Sequence, residues 1–215
     1  VDVPVPIKAI PAFGYEFSYW GGMPSLEDSI TLLIDHEINL TAHFSEIENP
    51  YQGFVIINEI NYNSNDDHDS GDWIELYNYS DQAISLAGWE FLDEDDSHFY
   101  TFNDSISMEA GGYLVLCRDS SSFNNLYIQV DNFIGDIGFG FAGGGELLRL
   151  LDSTGALVDA VEYDDDDPWP SEPDGSGTTL ELINPELDNS LSDSWASSTA
   201  DYGTPGAINS AFSSL

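Results

Sequence analysis

Three acidic runs are dense enough in one kind of side chain to do chemistry: Asn65-Asp-Asp-His-Asp-Ser-Gly-Asp72, Asp93-Glu-Asp-Asp96 and Asp164-Asp-Asp-Asp167. Hard cations such as calcium take six to eight oxygen ligands, which closely spaced carboxylates and loop carbonyls supply and isolated surface acids do not. Each run falls in a turn between apolar stretches. The candidate calcium ligands are therefore Asp67, Asp69 and Asp72 in the first run, Asp93 and Asp95 in the second, and Asp164 and Asp166 in the third. The first run has the alternating acids of a helix-loop-helix calcium loop but fails its register. With Asn65, Asp67 and Asp69 at positions one, three and five, position six is Ser70, position twelve is Leu76, and a strand pattern follows. The competing reading of all three runs is a hydrated acidic loop, the usual state of a charge run.

Catalytic chemistry finds little support. His36, His43, His68 and His98 are scattered, without the spaced histidine or cysteine set that zinc needs. Gly175-Ser-Gly177 lacks the strand and helix that flank a nucleophile elbow. Gly143-Gly-Gly145 runs into Glu146-Leu-Leu-Arg-Leu-Leu151, a strand pattern with neither the lysine nor the helix of a phosphate loop. Carboxylates are so numerous that some pair stands at any glycosidase-like separation, so proximity alone identifies no acid and base. The expectation is a protein that is not an enzyme. The single cysteine, Cys117, closes the apolar run Tyr113-Leu-Val-Leu-Cys117 and reads as a buried structural thiol.

Forty acidic residues face three basic ones, Lys8, Arg118 and Arg149, and the net charge is -37. Affinity for phosphate backbones comes from lysine and arginine, so nucleic acid and anionic membranes are excluded as partners. Metal cations are the natural partners, and they relieve the self-repulsion of so charged a body. Hydrophobic residues at 41% and aromatics at 13% argue for a folded core beneath this acidic coat. No apolar run approaches the ~18 residues of a membrane span, so no membrane insertion is expected. The chain reads as a piece of a longer extracellular or cell-surface protein, with any signal or anchor outside it.

The elements that position these residues are strands. Residues 1–48 hold short apolar runs closed by glycine, proline or acidic turns: Ile7-Lys-Ala-Ile-Pro11, Gly14-Tyr-Glu-Phe-Ser-Tyr-Trp-Gly-Gly22, Ser29-Ile-Thr-Leu-Leu-Ile34 and Ile38-Asn-Leu-Thr-Ala-His-Phe44. After a short linker, residues 54–209 open with Phe54-Val-Ile-Ile-Asn-Glu-Ile-Asn-Tyr62 and Trp73-Ile-Glu-Leu-Tyr-Asn78, two runs that predict a hairpin. Strict alternation puts Ile56, Ile60 and Tyr62 on one face with Ile74 and Leu76, and Glu59 and Glu75 together on an outer, wet face. Further strands are expected at 82–92, 98–102, 112–118, 127–130, 146–152, 157–163 and 178–183, and a short helix at 120–126. Trp73 and Trp89 read as core, and Trp169 and Trp195 as locks on a late loop. Residues 135–145, with alternating glycine and phenylalanine, read as a flexible contact loop. Tyr77, Tyr79 and Trp169 are the candidates for an exposed aromatic row if the chain binds a polymer.

The first segment resembles a truncated, divergent internalin-type B-repeat, which implies a small β-grasp-like fold. The second resembles a bacterial lamin tail domain through Ile56-Ile-Asn-Glu-Ile-Asn-Tyr62, Asp72-Trp-Ile-Glu-Leu-Tyr-Asn78, Ile84-Ser-Leu-Ala-Gly-Trp89, Glu146-Leu-Leu-Arg-Leu-Leu-Asp152, Trp169-Pro170 and Gly203-Thr-Pro-Gly-Ala-Ile-Asn209. That resemblance implies an all-β, immunoglobulin-like β-sandwich. By implication the chain is a non-catalytic adhesion or display module that binds a surface polymer or protein, or a carbohydrate-binding module attached to a secreted hydrolase.

Overall fold

A computed structural model describes residues 3–11, 15–34, 37–46 and 49–214. Gly14 and His36 lie outside the described residues. The chain divides into two compact units, Val1–Pro50 and Tyr51–Leu215. In the first, β1 (Val3–Lys8) pairs antiparallel with β3 (Ser29–Ile34), and β2 (Tyr15–Gly21) with β4 (Thr41–Glu46). Trp20 is its buried anchor: the indole N–H donates to the Glu27 carbonyl at 2.9 Å and the ring meets Phe17 at 5.4 Å. Tyr19 stacks on His43 at 4.3 Å, so that histidine serves as packing.

The second unit is an immunoglobulin-like β-sandwich. Its strands are β5 (Val55–Asn61), β6 (Trp73–Asn78), β7 (Ile84–Ser85), β8 (Glu90–Leu92), β9 (Phe99–Thr101), β10 (Ser107–Met108), β11 (Tyr113–Cys117), β12 (Phe133–Ile134), β13 (Glu146–Leu151), β14 (Leu157–Tyr163), β15 (Leu180–Leu182) and β16 (Trp195–Ser197). One sheet has the order β12-β11-β6-β5-β15-β16, the other β14-β13-β8-β9, and β7 pairs with β10 in a small ladder. Pairing is antiparallel except between β11 and β12, which run parallel. Ile57, Ile60, Ile74, Leu76, Phe91, Leu148, Leu150 and Val161 are fully buried in the shared core, and Trp89 joins them at 2% exposure. The apolar alternation forms these strands because only one face of each sheet meets the other.

A bulge in β5 overrides that alternation. The register passes from Ile57 opposite Leu76 to Glu59 opposite Glu75, which leaves Asn58 as the extra residue. Ile57 therefore shares the core face with Ile60, while Ile56 falls opposite Tyr77 on the other face. Ile57 N–H, displaced from the ladder, donates to Asp159 Oδ2 on β14 at 2.6 Å and ties one sheet to the other.

Other expectations need correction. The run 82–92 is two short strands separated by a turn at Gly88, whose φ is +72°. Residues 127–130 form no strand: Tyr127 caps the helix α1 (Ser120–Leu126), and the pairing falls to β12. The segment 135–145 is no free contact loop, because Ile137, Phe139 and Phe141 are buried and the two phenylalanines pack on Phe91.

Helix α1 starts where Asp119 accepts from Ser122 N–H at 2.7 Å. It places Phe123 edge-on to Trp73 at 5.9 Å and seals a second apolar cluster of Trp73, Val115, Cys117 and Phe123. Burial pushes the Cys117 thiol up to about 12. Native protein is expected to react with iodoacetamide at pH 8 at least ~100-fold more slowly than urea-unfolded protein; equal rates would remove this packing.

Candidate functional site

The outer face of the six-stranded sheet holds the unexpected chemistry. Pairing aligns three rungs across it: Tyr113, Tyr77 and Ile56; then Val115, Glu75, Glu59 and Glu181; then Cys117, Trp73 and Asn61. Glu59 and Glu75 were expected in water. Instead Glu59, Glu75 and Glu181 are fully buried, because the chain beyond β16 returns across this face and covers them. That returning segment, residues 199–213, is held by the carboxylates themselves. Thr204 N–H donates to Glu59 Oε1 at 2.9 Å, and the Thr179 hydroxyl on β15's flank donates to the same oxygen at 2.5 Å. Gly206 N–H donates to Glu75 Oε2. Glu181 accepts from the Thr204 hydroxyl at 2.8 Å, from Ser210 Oγ and from Ala211 N–H at 2.7 Å. Asn209 closes the arrangement: its amide donates to the Asn58 and Leu182 carbonyls, each at 2.9 Å, and Asn58 donates back to Asn209 Oδ1 at 2.8 Å.

Desolvation disfavours the ionised form, and like charges on adjacent strands add to it. Burial first, then the Glu75 and Glu181 carboxylates, hold Glu59 well above the usual carboxylate range. Burial likewise carries Glu75 up to about 8. Glu59 Oε2 is the least engaged oxygen of the three, with only the Thr204 hydroxyl at 3.5 Å, and is the natural seat of a proton. The sequence shows the outward-pointing pair but not its roof, since nothing local in Thr204-Pro-Gly-Ala-Ile-Asn209 says where that segment docks.

Where the roof ends, the first rung stays open as a groove of about 390 Å³, whose lining includes Tyr77, Tyr79, Tyr113, Asn184, Glu186 and Phe212. Tyr77 and Tyr113 stack at 4.6 Å, and Tyr79 leans on Tyr77 at 6.1 Å while its hydroxyl donates to Glu186 Oε1 at 2.6 Å. The rim is apolar and open, with Phe212 48% and Ile208 67% exposed. Two of the three aromatics named from sequence are here. The third, Trp169, is half-buried and meets Trp195 at 6.3 Å, away from this lining.

The acidic turns differ in what their oxygens already do. Asp93 is buried; it accepts from Asp95 N–H at 2.8 Å and pairs with His98 Nδ1 at 2.8 Å, while its carbonyl and the Asp96 carboxylate take the Arg149 guanidinium. Asp95 accepts from Ser97 N–H and Oγ. Asp72 accepts from Phe141 N–H at 3.0 Å and from Arg118 at 3.4 Å, which fixes the 135–145 segment. Asp69 accepts from Gly71 N–H, and Asp67 N–H donates to Asn65; with Asp66 and Arg118, Asp69 and Asp72 border a polar hollow of about 470 Å³. Asp164 and Asp166 come together, with Asp165 added, in the one group among the described residues whose carboxylate oxygens all lie within 4.8 Å of one another.

The family model for the Lamin Tail Domain matches residues 48–165, more than half of the chain. Among solved structures, a DUF4876 family protein from Bacteroides thetaiotaomicron is similar at 9% identity, with a TM-score of 0.46 over 90% of this chain and 94% of that one. No curated protein matches the chain.

Proposed function

Since the chain belongs to the lamin tail domain family, an immunoglobulin-like module, we propose that it is a non-catalytic adhesion or display module of a larger exported bacterial protein and holds an uncharged glycan polymer in its tyrosine groove. The observation that carries this is the open groove itself, in which aromatic faces stand beside the Asn184 amide and the Glu186 carboxylate. Aromatic faces take the C–H faces of sugars, and amide and carboxylate groups take hydroxyls. A net charge of -37 repels anionic polymers, which leaves neutral chains as the matching class. The exported setting is supported by the same charge, because an acidic coat keeps such a module soluble and takes up calcium at its turns.

An array of neutral and anionic glycans, followed by calorimetry, tests this. Binding is expected to neutral chains alone, and Tyr79→Ala is expected to weaken it roughly tenfold, the scale of one exposed aromatic anchor. Unchanged affinity in that variant, or capture of a protein and no glycan, would overturn the reading.

A further inference from the structure

The returning segment 199–213 consists of bends and turns and adds no strand to the sheet it crosses. Its hold on that sheet is concentrated in the buried glutamates: the N–H groups of Thr204, Gly206 and Ala211 and the hydroxyls of Thr204 and Ser210 all end on Glu59, Glu75 or Glu181. The same segment is part of the tyrosine groove, which Ile208, Asn209 and Phe212 line together with Tyr77 and Tyr113. One strap therefore roofs the carboxylates and shapes the groove.

The carboxylates are buried side by side without a cation to balance them. Arg118 pairs with Asp72 and Arg149 with Asp96, and the charges that bear on Glu59 and Glu75 are carboxylates. Their oxygens are not gathered round a metal ion either, since the group among the described residues whose ligand atoms all lie within 4.8 Å is at Asp164, Asp165 and Asp166. A proton is the remaining neutraliser. It stays only while the strap keeps water out, because a lifted strap returns the glutamates to a medium in which they ionise freely. Other titratable groups face the cluster. Tyr113 on β11, next to Tyr77, lies toward Glu75, and Tyr127, after α1, lies toward Glu59; burial lifts the Tyr113 and Tyr127 hydroxyls, so neither ionises between pH 6 and 8. The strap itself carries Asp201 and Tyr202, whose hydroxyl meets His68 Nδ1 at 2.9 Å.

We propose that residues 199–213 are a proton-latched strap: with the glutamate cluster protonated the strap is docked and the groove complete, and as the cluster ionises the strap lifts from a sandwich that stays folded, taking Ile208, Asn209 and Phe212 out of the groove. An ionised carboxylate is the stronger acceptor for the strap's N–H groups, which opposes lifting, but burial and like charge outweigh it at Glu59 and Glu75. The docked state thus binds more protons than the lifted one, and lifting gains as pH rises toward about 8, the value to which burial carries Glu75. As regulation of the groove this rests on the glycan reading: a neutral chain is gripped in acid and let go in mild alkali.

Amide hydrogen exchange of the full chain, followed by NMR at pH 6 and pH 8 and corrected for the intrinsic rate at each pH, tests the latch without any glycan. At pH 8 the amides of Thr204, Gly206 and Ala211 are expected to be at least ~tenfold less protected than the ladder amides of β13 and β14, the mark of local opening. Their protection is expected to fall roughly tenfold or more between the two pH values for each proton released. Glu59→Gln is expected to cut that fall to about threefold or less, and His68→Gln to leave it as it is. Strap amides protected as well as the ladders at both pH values, protection that does not fall in the wild-type chain, or loss of the fall in His68→Gln would each overturn the proposal. The wild-type comparison decides even if Glu59→Gln fails to fold. A groove that binds no glycan leaves this result standing, and a strap that stays down leaves Tyr79→Ala to be scored by itself.

Discussion

Gly203→Ala is expected to destabilise the sandwich by about 2–4 kcal/mol, although it adds one methyl group on a loop. Two effects combine. Gly203 has a φ of +77°, a left-handed conformation that costs an L residue roughly 1 kcal/mol. A Cβ there would stand 2.1 Å from Glu59 Oε1 and 2.6 Å from Thr179 Oγ1, so it displaces the buried carboxylate from its donors. Stripping a buried carboxylate of partners costs a further ~1–3 kcal/mol or more. In a unit of this size the sum lowers the melting temperature by roughly 10 °C. Gly111→Ala is the control: its φ is +67° and nothing lies within 4 Å of the added Cβ, so it meets the backbone penalty alone. Equal losses in the two variants, measured by urea unfolding, would show that the returning segment does not press on Glu59.

Stability is expected to fall as pH rises from 5 to 8, by a few kcal/mol or on the order of 10 °C in melting temperature. The ordinary glutamate value is 4.5, and burial raises Glu75 to about 8 and Glu59 well above its ordinary range. Between pH 4.5 and 8 the folded protein thus keeps protons that the unfolded chain has released. Each such proton favours the fold at low pH and is lost as pH climbs through the folded value. Asp159 and Glu146, each pushed up to about 6 by burial, act with the same sign over the lower part of that window. Glu59→Gln keeps a carbonyl for Thr179 and Thr204 and puts an amide where the proton sits. It is expected to flatten the profile and to raise stability at pH 8, whereas Glu59→Ala lowers it at every pH. A profile of unchanged slope in Glu59→Gln would mean that the cluster holds no proton.

The fold was legible because strand-length apolar patterns, alternating in β6 and continuous in β11, directly reflect burial on one face or on both. The helix at Ser120–Leu126 was read from a turn-length segment able to bend, and the burial of Trp73 and Trp89 from the weight of aromatics in sandwich cores. The site was only half legible. Glu59 and Glu75 were placed correctly on one face, but alternation says which way a side chain points, not what lies there. Their burial depends on a segment more than a hundred residues away that reads locally as turns. Asn58 was hidden for a related reason: a bulge adds a residue without changing composition, and it put Ile57 on the face of Ile60 while Ile56, also buried, falls opposite Tyr77. Tyr113 joined Tyr77 only through strand pairing, and Phe139 and Phe141 sank into the core although their glycine neighbours read as flexible.

The most direct test of the central claim, that three glutamates share a roofed and proton-holding face beside the groove, is a carbon-13 NMR titration of protein labelled at the glutamate carboxyls. At least one folded-state carboxyl is predicted to remain protonated at pH 7 and to disappear from the spectrum of Glu59→Gln. Titration of every glutamate below pH 5.5 would contradict it.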